Sequence, residues 1–286
     1  MKHDRTVGIL NPADTTGRIW HFSAALRISL IVHLCSAVFA AVYTDLWRWA
    51  LGMVAFNHAV LTAAVLWPRG RLLGPNMTRL PVRAIRRNEI SLTFDDGPDP
   101  GITPQILDLL DQYDAKGSFF CIAGKVSEFP ELAREIVRRG HSIENHSNSH
   151  PYNFALLGWR GLYREISAAQ ETIRITTGAS PEFFRAPMGF RSPFLAPVIE
   201  YAGLKYVTWT RRGYDVFEQN SERVLDRLLC GLAAGDILLM HDGRSHQSGG
   251  SATVVLETLP RLLDHMSTLG LRSVSLPAAL KHADTI

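Results

Sequence analysis

Five stretches of this chain carry side chains able to do hydrolytic chemistry. Asp95 and Asp96 open a tight Asp-Asp-Gly-Pro turn. Adjacent carboxylates in such a turn can point different ways, so one can bind a metal while the other stays free as a base. His146 and His150 lie four positions apart, one turn apart on a helix or on one side of a loop. Two histidines plus a carboxylate, with open positions for water, make a common catalytic zinc set. Arg185, Asp215 and His241 add a guanidinium, an acid and a third imidazole. Each has a bland reading too: a solvated turn for the aspartates, a Ser/Asn-rich loop for the paired histidines, a structural ion pair for Arg185, a satisfied buried imidazole for His241. Cys35, Cys121 and Cys230 have no metal-ligand spacing and read as packing residues.

What favours the chemical reading is where these residues fall relative to the strands. Residues 90–94, 118–122, 141–144, 183–185, 206–210, 237–240 and 272–275 read as short β-rich runs. Helical patterns over 103–110, 130–139, 162–176, 195–201, 221–230 and 254–269 alternate with them. Thr103 and Ser221 are the expected helix caps, and Gly140, Gly178, Gly203 and Gly270 the stops. Such β-α alternation argues for a parallel sheet covered by helices, and seven or eight units argue for a barrel. In a parallel barrel the C-terminal ends of all strands share one face, and that face holds the active site. The acids, imidazoles and guanidinium all follow strands, so separate stretches deliver them to one place. Residues 245–251 form a low-complexity stretch that reads as a mobile loop.

Taken together, the motifs resemble the polysaccharide deacetylases, the NodB-homology or family 4 carbohydrate esterases. Thr93-Phe94-Asp95-Asp96-Gly97-Pro98 resembles the first family motif, His146-Ser147-Asn148-Ser149-His150 the second, and Arg185-Ala186-Pro187-Met188-Gly189 the third. Leu238-x-x-His241, followed by Asp242, matches the fifth. The resemblance covers about residues 88–280 in the family's order. It implies an α/β fold, a distorted (β/α) barrel of about seven strands, and a metal-dependent N-deacetylase. By the same resemblance Asp96, His146 and His150 are the metal ligands, Asp95 the general base, His241 the general acid, Arg185 the residue that orients the base, and Asp215 the supporting acid. Pro187, Met188, Gly189, Leu238 and Trp209 would line the substrate site. The metal would be a divalent ion, Zn²⁺ before Co²⁺ or Fe²⁺. The fourth motif departs from the family: Arg212 stands where an acid is usual, and Val216 where a Trp usually walls the acetyl pocket, with Phe217 and Tyr214 as candidates to replace it. Glu144 replaces a frequent Gly, and Met188 a common Tyr.

The N-terminal region has a different character. Of 286 residues with a formal net charge of +3, residues 1–87 hold 11 Lys+Arg against 3 Asp+Glu, and residues 88–286 hold 19 against 24. The runs 28–44 and 49–67 carry no charge, and Trp20, Tyr43, Trp47, Trp49 and Trp67 flank them. A helix needs roughly 20 mostly apolar residues to cross about 30 Å of hydrocarbon, with indole rings at the headgroups. The expectation is a membrane anchor over 1–87 with two transmembrane helices, about 24–45 and 47–67, joined as a hairpin and followed by a basic linker, then a catalytic domain over 88–286. A single span is one alternative, and buried helices of a soluble domain are another, since His33, Asn57 and His58 interrupt the runs. Lys2, Arg5, Arg18 and Arg27 precede the first run, and Arg69, Arg71, Arg79, Arg83, Arg86 and Arg87 follow the second. By the positive-inside rule both ends face the cytoplasm of a bacterial-type inner membrane. The catalytic region would then face the cytoplasm as well, with the alternative a periplasmic or extracellular face. The Arg cluster would contact anionic lipids.

Composition excludes several classes. An apolar share of 46% with 13 Phe, 7 Tyr and 6 Trp excludes a disordered chain, and three Cys exclude a disulfide-dense scaffold. The basic residues gather beside the apolar runs, which argues against a nucleic-acid partner. The expected partners are an N-acylated amino-sugar glycan or lipid-linked sugar, and membrane lipids. The alternative function is a non-catalytic glycan- or lipid-binding protein on the same scaffold.

Overall fold

The computed structural model describes residues 22–243 and 251–281. Lys2, Arg5, Arg18, Trp20 and all of the 245–251 stretch except Ser251 lie outside the described residues.

The molecule is organised around β1 (Glu89–Asp95), every residue of which is buried. β1 pairs in parallel with β2 (Gly117–Cys121) on one side and β7 (Ile237–His241) on the other. The sheet continues through β3 (Ser142–Asn145), β4 (Phe183–Phe184) and β5 (Lys205–Tyr206) beyond β2, and through β6 (Arg211–Arg212) beyond β7. Seven parallel strands thus run in the order β5-β4-β3-β2-β1-β7-β6, and the short β8 (Arg272–Ser273) pairs with the start of β1. The result is a half-barrel, since β5 and β6 end the path without pairing to each other.

Strand alternation sorts the side chains. Ile90, Leu92 and Phe94 of β1 and Leu238 and Met240 of β7 join a core cluster with Ile106, Leu107 and Leu110 of α4 (Thr103–Gln112) and with Leu259, Leu262 and Leu263 of α10 (Ser251–Thr268). The alternate residues of β1, Ser91, Thr93 and Asp95, face the opposite way, toward the concave side. The remaining helices are α5 (Ala123–Glu128), α6 (Pro130–Arg138), α7 (Trp159–Thr177), α8 (Leu195–Tyr201), α9 (Ser221–Leu229) and α11 (Leu276–Lys281). α5 and α11 have six residues each, too short to show a helical period in sequence.

Two expected caps differ. Thr103 lies inside the first turn of α4, and its hydroxyl donates to Asp242 Oδ2 at 2.7 Å instead of capping. α9 is capped by Asn220, whose side chain accepts from the Arg223 N–H at 3.2 Å, and Ser221 is its first helical residue. Of the expected strand at 206–210 only Tyr206 lies in β5, paired with Phe184, and beyond Val207 the chain takes other partners. Met77 lies beside Val207, receiving the Thr208 N–H and donating to Tyr206 O, both at 3.0 Å.

That contact belongs to a stretch between the N-terminal helices and β1. Leu73, Leu80 and Ala84 are buried, the last in α3 (Val82–Arg86), and Leu80 and Ala84 pack with Phe120, Phe183, Val207 and Ile237. Two of its arginines are engaged by the half-barrel. Arg87 makes a two-pronged pair with Glu89, both contacts at 2.7 Å, and Arg79 lies 3.3 Å from Asp236. Those two arginines are therefore not free for lipid headgroups.

α1 (Ala24–Val42) and α2 (Trp47–Val65) are joined by the 3-10 turn Thr44–Leu46. They touch through polar groups: Asn57 Nδ2 donates to Ser29 Oγ at 2.8 Å, and the Nε2 atoms of His33 and His58 are 3.3 Å apart. Among the described residues α1 is the one helix long and apolar enough to cross a membrane, and only 17% of its apolar window is buried. It is therefore not a core helix. α2 falls short of that standard, carrying Arg48 in its first turn and Asn57 and His58 at its middle. Ile28, Leu30, Ile31, Leu34 and Val38 of α1 and Leu51, Phe56 and Val60 of α2 are exposed.

Candidate active site

The site forms where β1 ends. Asp95 closes the strand, and the backbone turns left-handed at Asp96, φ 73°. That turn sends the two carboxylates to different neighbours. Asp95 Oδ1 accepts from Arg185 Nη1 at 2.6 Å. Asp96 Oδ1 lies 3.3 Å from Nε2 of both His146 and His150.

The histidines sit on a loop, not a helix. Ser147 and His150 have φ of 68° and 50°, and the Asn145 side chain holds the bend by accepting the Ser147 N–H at 2.9 Å. Ser147 Oγ in turn accepts the His150 N–H at 3.0 Å. His146 Nδ1 bonds the carbonyl of Arg185 at 2.9 Å, so it carries the proton and Nε2 keeps its lone pair.

These three residues fit a divalent ion. Their donor atoms all lie within 4.8 Å of one another. Three donors about 2.0–2.1 Å from one tetrahedral ion would be about 3.4 Å apart, near the two 3.3 Å separations. Asp96 Oδ1 is buried and has no hydrogen-bond partner among the described residues. Burial works against the Asp96 anion, yet His146 and the charges of His241 and His150 hold its carboxyl well below the usual range. Burial and then His146 depress His150. Burial also works against the His146 cation, but Asp95 and Asp96 more than offset it, so its pKa is raised.

Arg185 is fully buried at the centre of the concave side. Besides Asp95, it donates to Thr93 Oγ1 at 2.9 Å and Thr208 O at 3.0 Å, and its guanidinium lies 4.1 Å from the Phe120 ring centre. Burial lowers its pKa, and Asp95 opposes that. Across the site, adjacent strands put His241 in register with Asp95. Asp215 Oδ1 is 2.9 Å from His241 Nδ1. Burial pushes the His241 imidazolium down, but Asp215 first, then Asp96 and Asp95, raise it to about 9.

Some of these supports have no signature in sequence. Lys125 Nζ donates to the Asp96 carbonyl at 2.7 Å, and the Asp242 N–H donates to the Asp95 carbonyl at 3.1 Å. Asp242 is fully buried, its pKa is pushed up by burial to about 7, and a Cβ on Gly97 would collide with its carboxylate. Phe120, Lys125 and Thr208 act through tertiary contacts that no local motif marks, and Thr93, though in the first motif, acts through its bond to Arg185.

With this geometry in view the comparisons are decisive. The polysaccharide deacetylase family model matches residues 83–207. A chitooligosaccharide deacetylase of Sinorhizobium fredii is 34% identical over 155 residues, which are 54% of this chain and 72% of that protein. The chain belongs to the polysaccharide deacetylase family. A peptidoglycan-N-acetylglucosamine deacetylase of Bacillus cereus is 30% identical over 195 residues, 68% of this chain and 88% of the relative. A crystal structure of a peptidoglycan N-acetylglucosamine deacetylase holding an N-hydroxybenzamide superposes with a TM-score of 0.64 at 28% identity, over 71% of this chain and 92% of that one.

Asp95, Asp96, His146, His150, Arg185, Asp215 and His241 thus converge on one end of this deacetylase half-barrel. Pro187 and Gly189 are buried beside them, while Met188 is 36% exposed with φ 56°. Trp209 is nearly buried, its ring against Gly189 and 6.0 Å from the Arg185 guanidinium. Leu238 does not reach the site: it faces the helices, and strand alternation puts Leu239, not Leu238, on the His241 face. Tyr214 and Phe217 are exposed and line an open cleft of about 350 Å³ with Glu218 and Arg227. Glu144 accepts the Glu182 and Phe183 N–H groups, both at 2.9 Å, tying β3 to β4.

Proposed function

We propose that this deacetylase-family chain is a metal-dependent N-deacetylase acting on an amino sugar in a glycan or lipid-linked glycan at a membrane. The observation that carries this reading is the pairing of two supported proton carriers, Asp95 with Arg185 and His241 with Asp215, around the Asp96, His146 and His150 cluster.

Asp96, His146 and His150 would hold a divalent ion, Zn²⁺ before Co²⁺ or Fe²⁺, which when bound acidifies water and polarises the amide carbonyl. Asp95 takes a proton from water as its oxygen attacks the carbonyl carbon. Arg185 keeps that carboxylate oriented. The Met188 N–H donates to the developing oxyanion, an interaction worth about 2.7–4 kcal/mol. His241, protonated at neutral pH and aimed by Asp215, gives its proton to the departing nitrogen as the C–N bond breaks, typically a 10²–10⁴-fold effect. Water and an acetamide thus become acetate and a free amine. A non-catalytic binding protein on the same scaffold has less support, because base, acid and all three donors are in place.

The substrate reading rests on relatives named for chitooligosaccharide and peptidoglycan N-acetylglucosamine. The exposed apolar face of α1 and α2 supports membrane attachment as a two-helix anchor. The flanking arginines favour a cytoplasmic face; a peptidoglycan substrate would favour the opposite face. Mass spectrometry of lipid-extracted glycans from cells with the wild type or Asp95→Ala tests substrate and reaction together. The expected result is the loss of one acyl group with the wild type alone. Identical profiles, together with no turnover of chitooligosaccharide by purified metal-loaded protein, would overturn the proposal. Protease treatment of spheroplasts decides the face, since cleavage of the catalytic region from outside excludes the cytoplasmic one.

A further inference from the structure

Arg212 is the departure from the family pattern that the mechanism leaves unused. Its neighbour Arg211 is engaged away from the site, donating from Nε to Asp236 Oδ2 at 2.6 Å and from its terminal nitrogens to Cys230 O and Gly231 O. Strand alternation turns Arg212 to the other face of β6. There its guanidinium carbon lies 5.2 Å from the Trp209 ring centre and 4.9 Å from that of Tyr214.

Nearby cations have counter-charges. Asp95 meets Arg185, and Glu218 lies 3.2 Å from Arg227. Among the described residues Arg212 makes no hydrogen bond and no ion pair, and its Nε is shielded from water without an acceptor. The two ring faces offset part of its lost hydration, but they accept none of its in-plane N–H groups. Its like charge also adds to the burial that depresses Arg185. Among the described residues no acid pairs with Arg212, so its donors are open to an anionic group that arrives from outside.

The position says what that partner is. Trp209, on one side of Arg212, has its ring centre 6.0 Å from the guanidinium of Arg185, which holds Asp95. Tyr214, on the other, opens onto the cleft shared with Phe217, Glu218 and Arg227. A planar guanidinium between reacting centre and cleft matches the oxygens of a phosphate or carboxylate, which it binds with two parallel N–H donors.

We propose that Arg212 is a specificity residue that binds an anionic oxygen group, phosphate or carboxylate, carried on or next to the sugar that is deacylated. The inference rests on the deacetylase reading above and sharpens its substrate class to anionic amino-sugar derivatives. An acid at this position would repel the same group.

The test uses the full chain in nanodiscs, loaded with Zn²⁺. Dissociation constants are measured for N-acetylglucosamine 1-phosphate, N-acetylmuramic acid and the neutral methyl glycoside of N-acetylglucosamine. The expected result is binding of at least one anionic sugar about tenfold or more tighter than the neutral one; which of the two is preferred names the group. Arg212→Gln is expected to shrink that ratio about tenfold, and Arg212→Asp to remove it. No preference in the wild type, which needs no variant to fold, would overturn the proposal. So would a loss in Arg212→Gln that is equal for charged and neutral sugars, the mark of a structural role. Turnover recorded alongside separates the readings: selective binding with no hydrolysis of any N-acylated sugar overturns the deacetylase reading alone, and hydrolysis without selectivity overturns this one alone.

Discussion

Asp215 grips His241 twice: Oδ1 lies 2.9 Å from the ring Nδ1, and Oδ2 accepts the backbone N–H of the same residue at 2.7 Å. One carboxylate thus sets ring orientation, tautomer and charge, leaving Nε2 as the proton-delivering atom. Because Asp215 helps raise His241 to about 9, the acid form is the working form below that pH. Deacetylation should therefore fall as pH rises through about 9. Asp215→Asn removes the charge that raises the pKa, so the alkaline limb should move to lower pH and kcat should drop. A pH–rate profile with an unmoved limb would show that Asp215 does not control the proton.

Metal and base should separate cleanly. His146→Ala and Asp96→Ala are expected to lose the bound ion, measured by elemental analysis of the purified chain, and to lose turnover with it. Asp95→Ala should keep about one ion per chain and lose about 10²–10⁴-fold in kcat. A chelator should abolish wild-type turnover, with restoration by Zn²⁺.

Arg185→Met should cost more stability than a surface change. It leaves Asp95 buried without its counter-charge and empties the face of Phe120. Breaking a buried pair from one side costs about 3–5 kcal/mol, measurable as a drop in the denaturant midpoint. A drop below 1 kcal/mol would mean that water reaches the pair.

Gly97 is required for space. An added Cβ meets the Asp242 carboxylate, which Thr103 holds in place. Gly97→Ala is expected to displace the Asp96 turn and weaken metal binding. Asp242→Ala in the same chain should restore part of it. Equal metal affinity in Gly97→Ala and the wild type would sink this account.

Truncation should separate the proposed anchor from the half-barrel. Removing residues 1–66 deletes α1 and α2 but keeps Leu73, Leu80 and Ala84, and the product is expected to be soluble and folded. Removing residues 1–87 uncovers Phe183, Val207 and Ile237, which Leu80 and Ala84 cover, and the product is expected to aggregate. Loss of a buried Leu alone costs about 2–5 kcal/mol. Fractionation and circular dichroism of both chains check this.

What the sequence determined by itself was most of the local structure, though not the caps of α4 and α9. Apolar runs with period 2 and 3.6 placed β1, β2, β7, α6 and α8 within a residue or two, and α-carbon order alone put Asp95, His146, Arg185 and His241 after strands. Motif order named the family. Two outcomes were decided by tertiary contact. Thr103 left its capping role because Asp242, 139 positions away, offered a buried acceptor. Beyond Val207 the chain left the β4 ladder, and residues 76–78 run beside it instead. Leu238 and Leu239 are equivalent by composition, and only the parity of β7 decides which one shares a face with His241. The unmatched charge of Arg212 is likewise invisible in sequence, where acids stand nearby at Asp215 and Glu218. The structure shows both already committed, one to His241 and one to Arg227. Local sequence sets a residue's type and strand; which neighbours it can reach depends on chain segments far away, and that is settled only by packing.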